Sequence, residues 1–154
     1  MKAAQVLNSV AHAKGQWAYH IEWIPKYRRN VFRKERNKRD MEGILLNVAA
    51  AHGMHVLELA VQPDHVHVVV EVPPAMSLAR AAQLLKGRSS YEYFRLNPNL
   101  RLMYRKGHLW TPGKFYRTVG DVGLNHMRAY VRNQGDAFQR TLADFSHTKG
   151  IPTL

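Results

Sequence analysis

Apolar and polar residues alternate in several short stretches of the chain, and these stretches predict β-strands. Within residues 17–24 large side chains fill every second position, and Pro25 ends the pattern. Residues 54–61 predict a second strand, and a Pro-Asp turn leads from it into a third, valine-rich strand that begins at His65. Residues 114–119 predict a fourth strand. The turn between the second and third strands is short enough to make this pair antiparallel.

Two segments between the predicted strands repeat their apolar residues every three or four positions, which predicts helices. The repeat of the first follows Asp40, a residue type that caps helix N-termini, and Gly53 ends it. Ser77 is the expected cap of the second helix. Residues 97–113 are rich in Asn, Pro, Gly and basic residues and predict a loop. A third helix is expected from Asp121 onward.

The order strand, helix, strand, strand, helix, strand predicts an α+β fold of the split β-α-β-β-α-β kind, which is ferredoxin-like. Both helices should lie on one face of an antiparallel sheet, and the other face should be open to a ligand or partner. The final helix is added at the C-terminal end. We expect a single domain over residues 1–154, with 1–16 as a lead-in and 135–154 as a tail.

Charge changes the picture, because 23 Lys and Arg face only 11 Asp and Glu, which gives a net charge of +12. Such an excess favours a polyanionic partner, with nucleic acid first and an anionic membrane surface second. The absence of cysteine excludes disulfides, thiolate zinc sites and cysteine nucleophiles. The chain shows no apolar core of signal-peptide length and no run of about 20 apolar residues, so a cytoplasmic protein is expected.

The basic residues are concentrated in two places. Residues 26–39 are dense in Lys and Arg with Tyr27 and Phe32 interleaved, and residues 86–90 read Lys-Gly-Arg-Ser-Ser. Most charged runs are solvated loops, but basic and aromatic side chains together can bind phosphates and stack bases. The expected DNA-binding residues are Lys26, Arg28, Arg29, Arg33, Lys86 and Arg88.

His65 and His67 should lie on the same face of the third strand, because side chains alternate along a strand. Two imidazoles about 7 Å apart can bind one metal ion if a third ligand comes from elsewhere. On the last predicted helix, His126, Tyr130 and Gln134 share one stripe at four-residue spacing. A phenol can act as a nucleophile and an amide oxygen can bind a hard metal, although most such tyrosines are packing residues.

Together these residues resemble a known family. The motif His65-Val66-His67 is similar to the histidine–hydrophobe–histidine (HUH) motif of enzymes that nick and rejoin single-stranded DNA. The segment Tyr130-Val131-Arg132-Asn133-Gln134 resembles the tyrosine helix of the single-tyrosine HUH transposases of small insertion sequences (TnpA type, IS200-like). Residues 19–29, 62–67, 85–90 and 109–113 resemble further stretches of that family, in the same order.

The resemblance implies a role for each candidate residue. Tyr130 would attack a DNA phosphate and give a 5′-phosphotyrosine and a free 3′-hydroxyl. His65, His67 and Gln134 would bind one divalent ion, Mg²⁺ or Mn²⁺, which would activate that phosphate. Asp64 would either orient a histidine from behind or serve only as a turn residue.

The resemblance also implies partners, namely single-stranded DNA hairpins at the ends of an element and a second copy of the chain, with no membrane and no nucleotide cofactor. Tyr130 could then act in its own subunit or in the other. Three alternatives stay open: a domesticated transposase acting on repeated palindromic elements, a phosphodiesterase that activates water, and a non-catalytic single-strand binder that stacks bases on Tyr19 and Trp23. His20 is expected to be a packing or surface residue rather than a ligand.

Overall fold

The computed structural model describes residues 17–113, 115–119, 129 and 131–133. Its strands are β1 (Trp17–Trp23), β2 (His55–Gln62), β3 (His65–Val72) and β4 (Phe115–Val119), and its helices are α1 (Glu35–Ala51), α2 (Leu78–Leu96) and the short α3 (Pro98–Arg101). The predicted split β-α-β-β-α-β order is confirmed. Residues 129 and 131–133 are helical, whereas Tyr130, Gln134 and the segments 1–16 and 135–154 lie outside the described residues.

The four strands form one antiparallel sheet in the order β2-β3-β1-β4. The central pair β1 and β3 runs in register from Trp17 opposite Val72 to Trp23 opposite Val66. The predicted hairpin joins β2 to β3 through the turn at Pro63 and Asp64. Because the first and third strands of the chain lie side by side, residues about 45 positions apart in the sequence meet at the centre of the sheet.

Helix α1 begins earlier than the sequence predicted. It starts at Glu35, so Asp40 lies inside the helix and does not cap it. Oppositely charged residues four positions apart support its first turns, and these pairs are Glu35–Arg39, Arg36–Asp40 and Lys38–Glu42. The apolar repeat starts only at Met41. Apolar periodicity alone therefore placed the start of the helix too late and left residues 35–39 in the preceding basic stretch.

Helix α2 begins where it was predicted, and the Ser77 hydroxyl accepts a hydrogen bond from the Arg80 backbone N–H at 3.0 Å. It packs with α1 over one face of the sheet. Val66, Val68 and Val70 of β3 face these helices, as predicted. The core between the layers includes Ile21, Trp23, Met41, Leu45, Val66, Val68, Val70, Leu85 and Tyr93. No helix in the described ranges has the length and apolar composition needed to cross a membrane.

The other face of the sheet is partly covered, contrary to the expectation of an open face. Val131 is fully buried against it in a second apolar cluster with Ala18, Leu57, Ala60 and Val69. Arg132 donates a hydrogen bond to the Glu58 carboxylate of β2. The helical segment 131–133 therefore lies on this second face, where the side chains of His20 and His67 are also buried.

Candidate metal centre

His67 lies at the centre of the second face of the sheet and is only 3 % exposed. Its Nδ1 is 3.0 Å from Nε2 of His20, and the two rings stack with centroids 5.3 Å apart. The same Nδ1 is 3.6 Å from a carboxylate oxygen of Glu22, the residue directly opposite His67 on β1. The β1–β3 register therefore brings an imidazole and a carboxylate from one strand to an imidazole of the other.

His20, Glu22 and His67 form a group that could hold a metal ion, because one ligand atom from each lies within 4.8 Å of the others. Imidazole nitrogens and a carboxylate oxygen are a suitable donor set for divalent cations such as Mn²⁺. His20 is buried, as a packing residue would be, yet it also belongs to this group, and Glu22 was not among the candidates from the sequence. The alternation of side chains within β1 could have found both residues, because it puts His20 and Glu22 on the same face of the strand and Ile21 on the other.

Burial, followed by the nearby charge of His65, lowers the pKa of His67 to about 4. The imidazole is therefore neutral at pH 7. A neutral ring keeps a nitrogen lone pair, which is the form that binds a metal ion. The buried position of His67 thus prepares it as a ligand without any competing proton near neutral pH.

His65 stands next to His67 with the two ring centroids 4.7 Å apart and the rings nearly perpendicular. Its Nδ1 is 2.7 Å from a carboxylate oxygen of Asp64. An ionised carboxylate can only accept, so Nδ1 carries the proton and Nε2 keeps its lone pair. The second oxygen of Asp64 accepts a hydrogen bond from Nε of Arg28 at 3.0 Å. These contacts form a continuous chain from Arg28 through Asp64 to His65.

Two effects act on the Asp64 carboxyl. Burial by itself raises its pKa, but the hydrogen bonds from His65 and Arg28 outweigh burial and hold the pKa below its usual value. Arg28 reaches Asp64 from a turn in which Tyr27 and Arg28 both have positive φ, at 62° and 47°. Backbone of this kind is unfavourable for residues other than glycine and is concentrated at functional sites.

The structure places the predicted DNA-binding residues in several environments. Arg33 and Arg88 are exposed, Lys26 is partly buried, and Arg28 is paired with Asp64. Arg29 lies over two tyrosine rings, 5.2 Å from the centroid of Tyr27 and 5.5 Å from that of Tyr104. These placements leave their contact with DNA a prediction.

Lys86, another of the predicted DNA-binding residues, is bonded to the loop at residues 111–113. Its ammonium donates to the backbone carbonyls of Thr111, Pro112 and Gly113. An ammonium group has three N–H donors, and these carbonyls can take all of them. Lys86 therefore holds a loop in place, and its contact with DNA stays a prediction.

The two aromatic residues that a base-stacking module would need on the open face are elsewhere. Trp23 is 2 % exposed in the core beneath the helices, and Tyr19 packs against the same core. Side chains at these alternate positions of β1 face away from His20 and Glu22. The expectation that they could stack bases is therefore wrong, which removes the main support for the non-catalytic binder.

A family model described as "Transposase IS200 like" matches residues 13–134 of the chain. The chain belongs to the IS200-like transposase family. It is 32% identical over 126 residues to the transposase for insertion sequence element IS200 of Salmonella typhimurium, covering 82% of each. It is also 31% identical over 121 residues to the ISDra2 transposase TnpA of Deinococcus radiodurans, covering 79% of this chain and 86% of that one.

Solved structures agree with this assignment of the IS200-like transposase. A crystal structure of a candidate transposase from Deinococcus radiodurans aligns with a TM-score of 0.63 at 28% identity, covering 77% of this chain and 91% of the other. A REP-associated tyrosine transposase bound to a REP hairpin aligns with a TM-score of 0.55 at 12% identity, covering 77% and 65%, which shows a common fold. The protein is thus a transposase, an enzyme that cleaves and transfers DNA.

Proposed function

We propose that this transposase cleaves and rejoins single-stranded DNA at insertion-sequence ends through a 5′-phosphotyrosine on Tyr130. The observation that carries the proposal is the pairing of His65 and His67 on the same face of the sheet as Val131 and Arg132. These two residues follow Tyr130 directly in the chain. The proposed nucleophile is therefore the residue that directly precedes this buried anchor in the sequence.

The bonds that form and break in the reaction belong to the protein and the DNA alone. The phenol oxygen of Tyr130 forms a bond to the phosphorus, and the bond from phosphorus to the 3′-oxygen of the preceding nucleotide breaks. The phenol loses its proton to solvent, and the leaving oxygen gains one and becomes a 3′-hydroxyl. A 3′-hydroxyl from another strand end reverses the sequence and joins the strands. The phosphodiester energy is kept in the tyrosine link, so no nucleotide cofactor is required.

The proposed cofactor is Mg²⁺ or Mn²⁺. The donor set fits such an ion, because the imidazole of His67 is neutral at pH 7, a second imidazole lies beside it, and Glu22 adds a hard carboxylate oxygen. His65, His67 and Gln134 would hold the ion, with His20 and Glu22 next to His67. When bound, it would act as a Lewis acid that polarises the scissile phosphate and orients it for in-line attack.

The chain from Arg28 through Asp64 supports a positioning role for both residues. We expect Asp64→Asn to weaken Mn²⁺ binding about 10- to 100-fold, since the substitution removes the charge that fixes the His65 tautomer. Arg28→Ala should weaken it less, because Asp64 keeps its bond to His65. Electron paramagnetic resonance of free Mn²⁺ measures the affinity without any DNA. Arg36→Ala on α1 is the matched control, since it removes the same charge far from His65. Unchanged Mn²⁺ affinity in Asp64→Asn would make Asp64 a turn residue only.

Covalent trapping tests the proposed function directly. The wild-type protein is incubated with Mg²⁺ and single-stranded DNA that carries the ends of its flanking element, and the products are run on a denaturing gel. A 5′-phosphotyrosine keeps the 3′ part of the strand, so a 3′-end label should move with the protein while a 5′-end label leaves on the short fragment. EDTA should remove the adduct. Cleavage without an adduct would indicate the water-activating phosphodiesterase, and binding without cleavage the non-catalytic binder.

The proposed substrate is a folded single strand, a hairpin at the end of the element, and the proposed assembly is a homodimer with no membrane partner. The net charge of +12 supports a DNA partner of this kind. The DNA substrate makes the cytoplasm the proposed location. A domesticated transposase that acts on repeated palindromic elements would use the same site, and genomic neighbourhood would distinguish the two.

A further inference from the structure

A groove of about 930 Å³ lies between α2 and the segment 101–112, and is lined also by Lys26. We call it the α2 groove. Helix α2 covers the sheet face opposite His67, so the α2 groove is separate from the candidate metal centre. Its size is at the upper end of the range found for pockets that bind small organic ligands, about 300–1,000 Å³.

The walls of the α2 groove are held in place by hydrogen bonds from α2. The Ser89 hydroxyl accepts from Nε1 of the buried Trp110 at 2.9 Å, and the Ser90 hydroxyl accepts from the Leu109 N–H at 3.0 Å. On the other side, the Lys26 N–H donates to the Leu109 carbonyl at 2.8 Å. With the Lys86 ammonium on the carbonyls of residues 111–113, these bonds make the groove a preformed feature rather than a gap between loose segments.

The charge of the α2 groove is of one sign. Lys26, Lys86, Arg95 and Arg101 line it, and no Asp or Glu in the described part of the chain does so. Lys86 is occupied by carbonyls, and Arg95 is paired with Glu92 at 2.9 Å. The side chains of Lys26 and Arg101 make no hydrogen bond or ion pair with any residue that the structure describes. These two cations are therefore available to an anionic ligand.

The backbone next to Arg101 is shaped around its side chain. Gly107 has a φ of +67°, and a Cβ built on it would lie 3.0 Å from a guanidinium nitrogen of Arg101. Residues with a side chain rarely adopt this φ, and a Cβ here would require the Arg101 guanidinium to shift slightly. The guanidinium therefore has space at the edge of the α2 groove, and no acidic residue in the described part of the chain pairs with it.

Aromatic surface stands beside these cations. Phe94 and Trp110 are buried in the floor, and Tyr91 is 60 % exposed on the rim. The guanidinium of Arg88 lies over the Tyr91 ring at 5.6 Å from its centroid. Flat apolar rings next to unpaired cations match the faces and phosphates of unpaired nucleotides, whereas the stacked bases of a duplex do not offer their faces to a protein.

We propose that the α2 groove binds unpaired nucleotides that flank the hairpin of the DNA substrate, with phosphates at Lys26 and Arg101 and a base against Tyr91. The proposal rests on the proposed function and names a second place at which this transposase holds its substrate. The helix side of the sheet would bind the strand while the opposite face carries the chemistry.

Fluorescence anisotropy tests the proposal with two labelled probes, the end hairpin with its single-stranded flank and the same hairpin without it. Tyr91→Ala should weaken binding of the flanked hairpin about tenfold. Arg101→Ala should weaken it too and lower the slope of log affinity against log salt by about 0.7, the value for one phosphate on a single strand. Neither variant should alter binding of the unflanked hairpin, which serves as the matched control.

Two results would overturn the proposal: unchanged affinity in Tyr91→Ala and Arg101→Ala, or equal losses on both probes. Both groove residues lie at the surface, and thermal melting checks that the variants fold. The proposed function is tested separately, since at saturating DNA the two variants should still form the covalent adduct. If the wild type forms the adduct but the groove variants bind DNA as tightly as the wild type, only the groove proposal fails. If the groove variants lose affinity but the wild type forms no adduct, only the proposed tyrosine reaction fails.

Discussion

Tyr130→Phe is expected to abolish the covalent adduct and to lower strand cleavage about a thousandfold or more, which is the scale of losing a catalytic nucleophile. The substitution removes one oxygen atom and keeps the aromatic ring. The neighbouring anchors remain, namely Val131 in its apolar cluster and Arg132 on Glu58. DNA binding on a native gel should therefore be unchanged, which separates loss of chemistry from loss of structure.

Tyr93→Phe is the matched control for this substitution. Tyr93 is fully buried in the core between the helices and the sheet, and its hydroxyl has no hydrogen-bond partner among the described residues. Removing that hydroxyl should leave the adduct at its wild-type level. If Tyr130→Phe still gave a metal-dependent adduct, the nucleophile would be another residue and the assignment of Tyr130 would be wrong.

His67→Ala is expected to remove Mn²⁺ binding from the range that resonance spectroscopy detects and to lower cleavage about a thousandfold. The size of the effect follows from its position, because His67 is common to the group with His20 and Glu22 and to the pair with His65. Without the His67 imidazole, the remaining donors bind the metal ion too weakly to hold it. Without the ion, the scissile phosphate is not polarised. Both quantities should fall together.

Two further variants, one test and one control, show which side chains contribute to Mn²⁺ binding. A fall in Mn²⁺ affinity in Glu22→Gln would bring the carboxylate of β1 into the ligand set, and an unchanged affinity would leave it beside the set. His52→Ala is the control, because His52 lies at the end of α1 and bonds to the Val48 carbonyl. Wild-type Mn²⁺ affinity in His67→Ala would contradict the candidate metal centre as a whole.

Much of the fold could be predicted from the sequence because it depends on local patterns. The valine-rich strand after Asp64, the Pro-Asp turn and the Ser77 cap each rest on neighbouring residues, and the structure agrees with all three. The start of α1 depends instead on charge pairs that precede the apolar repeat. A pattern of apolar residues does not show those pairs, so the predicted start of the helix was six residues too late.

The candidate site was predicted less completely, because its parts come from distant segments. His65 and His67 could be found from strand alternation alone. Alternation within β1 places His20 and Glu22 on one face, but their contact with His67 depends on the register between β1 and β3, which no local pattern reveals. The burial of His67 depends on a face that was expected to be open. In the same way, the role of Lys86 depends on a loop some 25 residues further along the chain.

The turn at Tyr27 and Arg28 has a consequence for anyone who wishes to make this protein more heat-resistant. Glycine adopts positive φ without strain, so a search for stabilising substitutions would favour it at both positions. Glycine at position 28 would remove the hydrogen bond from Arg28 to Asp64. Glycine at position 27 would remove the ring of Tyr27, which is 72 % exposed and lies beneath the Arg29 guanidinium. Under the proposed function, thermostability and DNA processing make opposite demands on these two residues, and an engineering campaign should leave them unchanged.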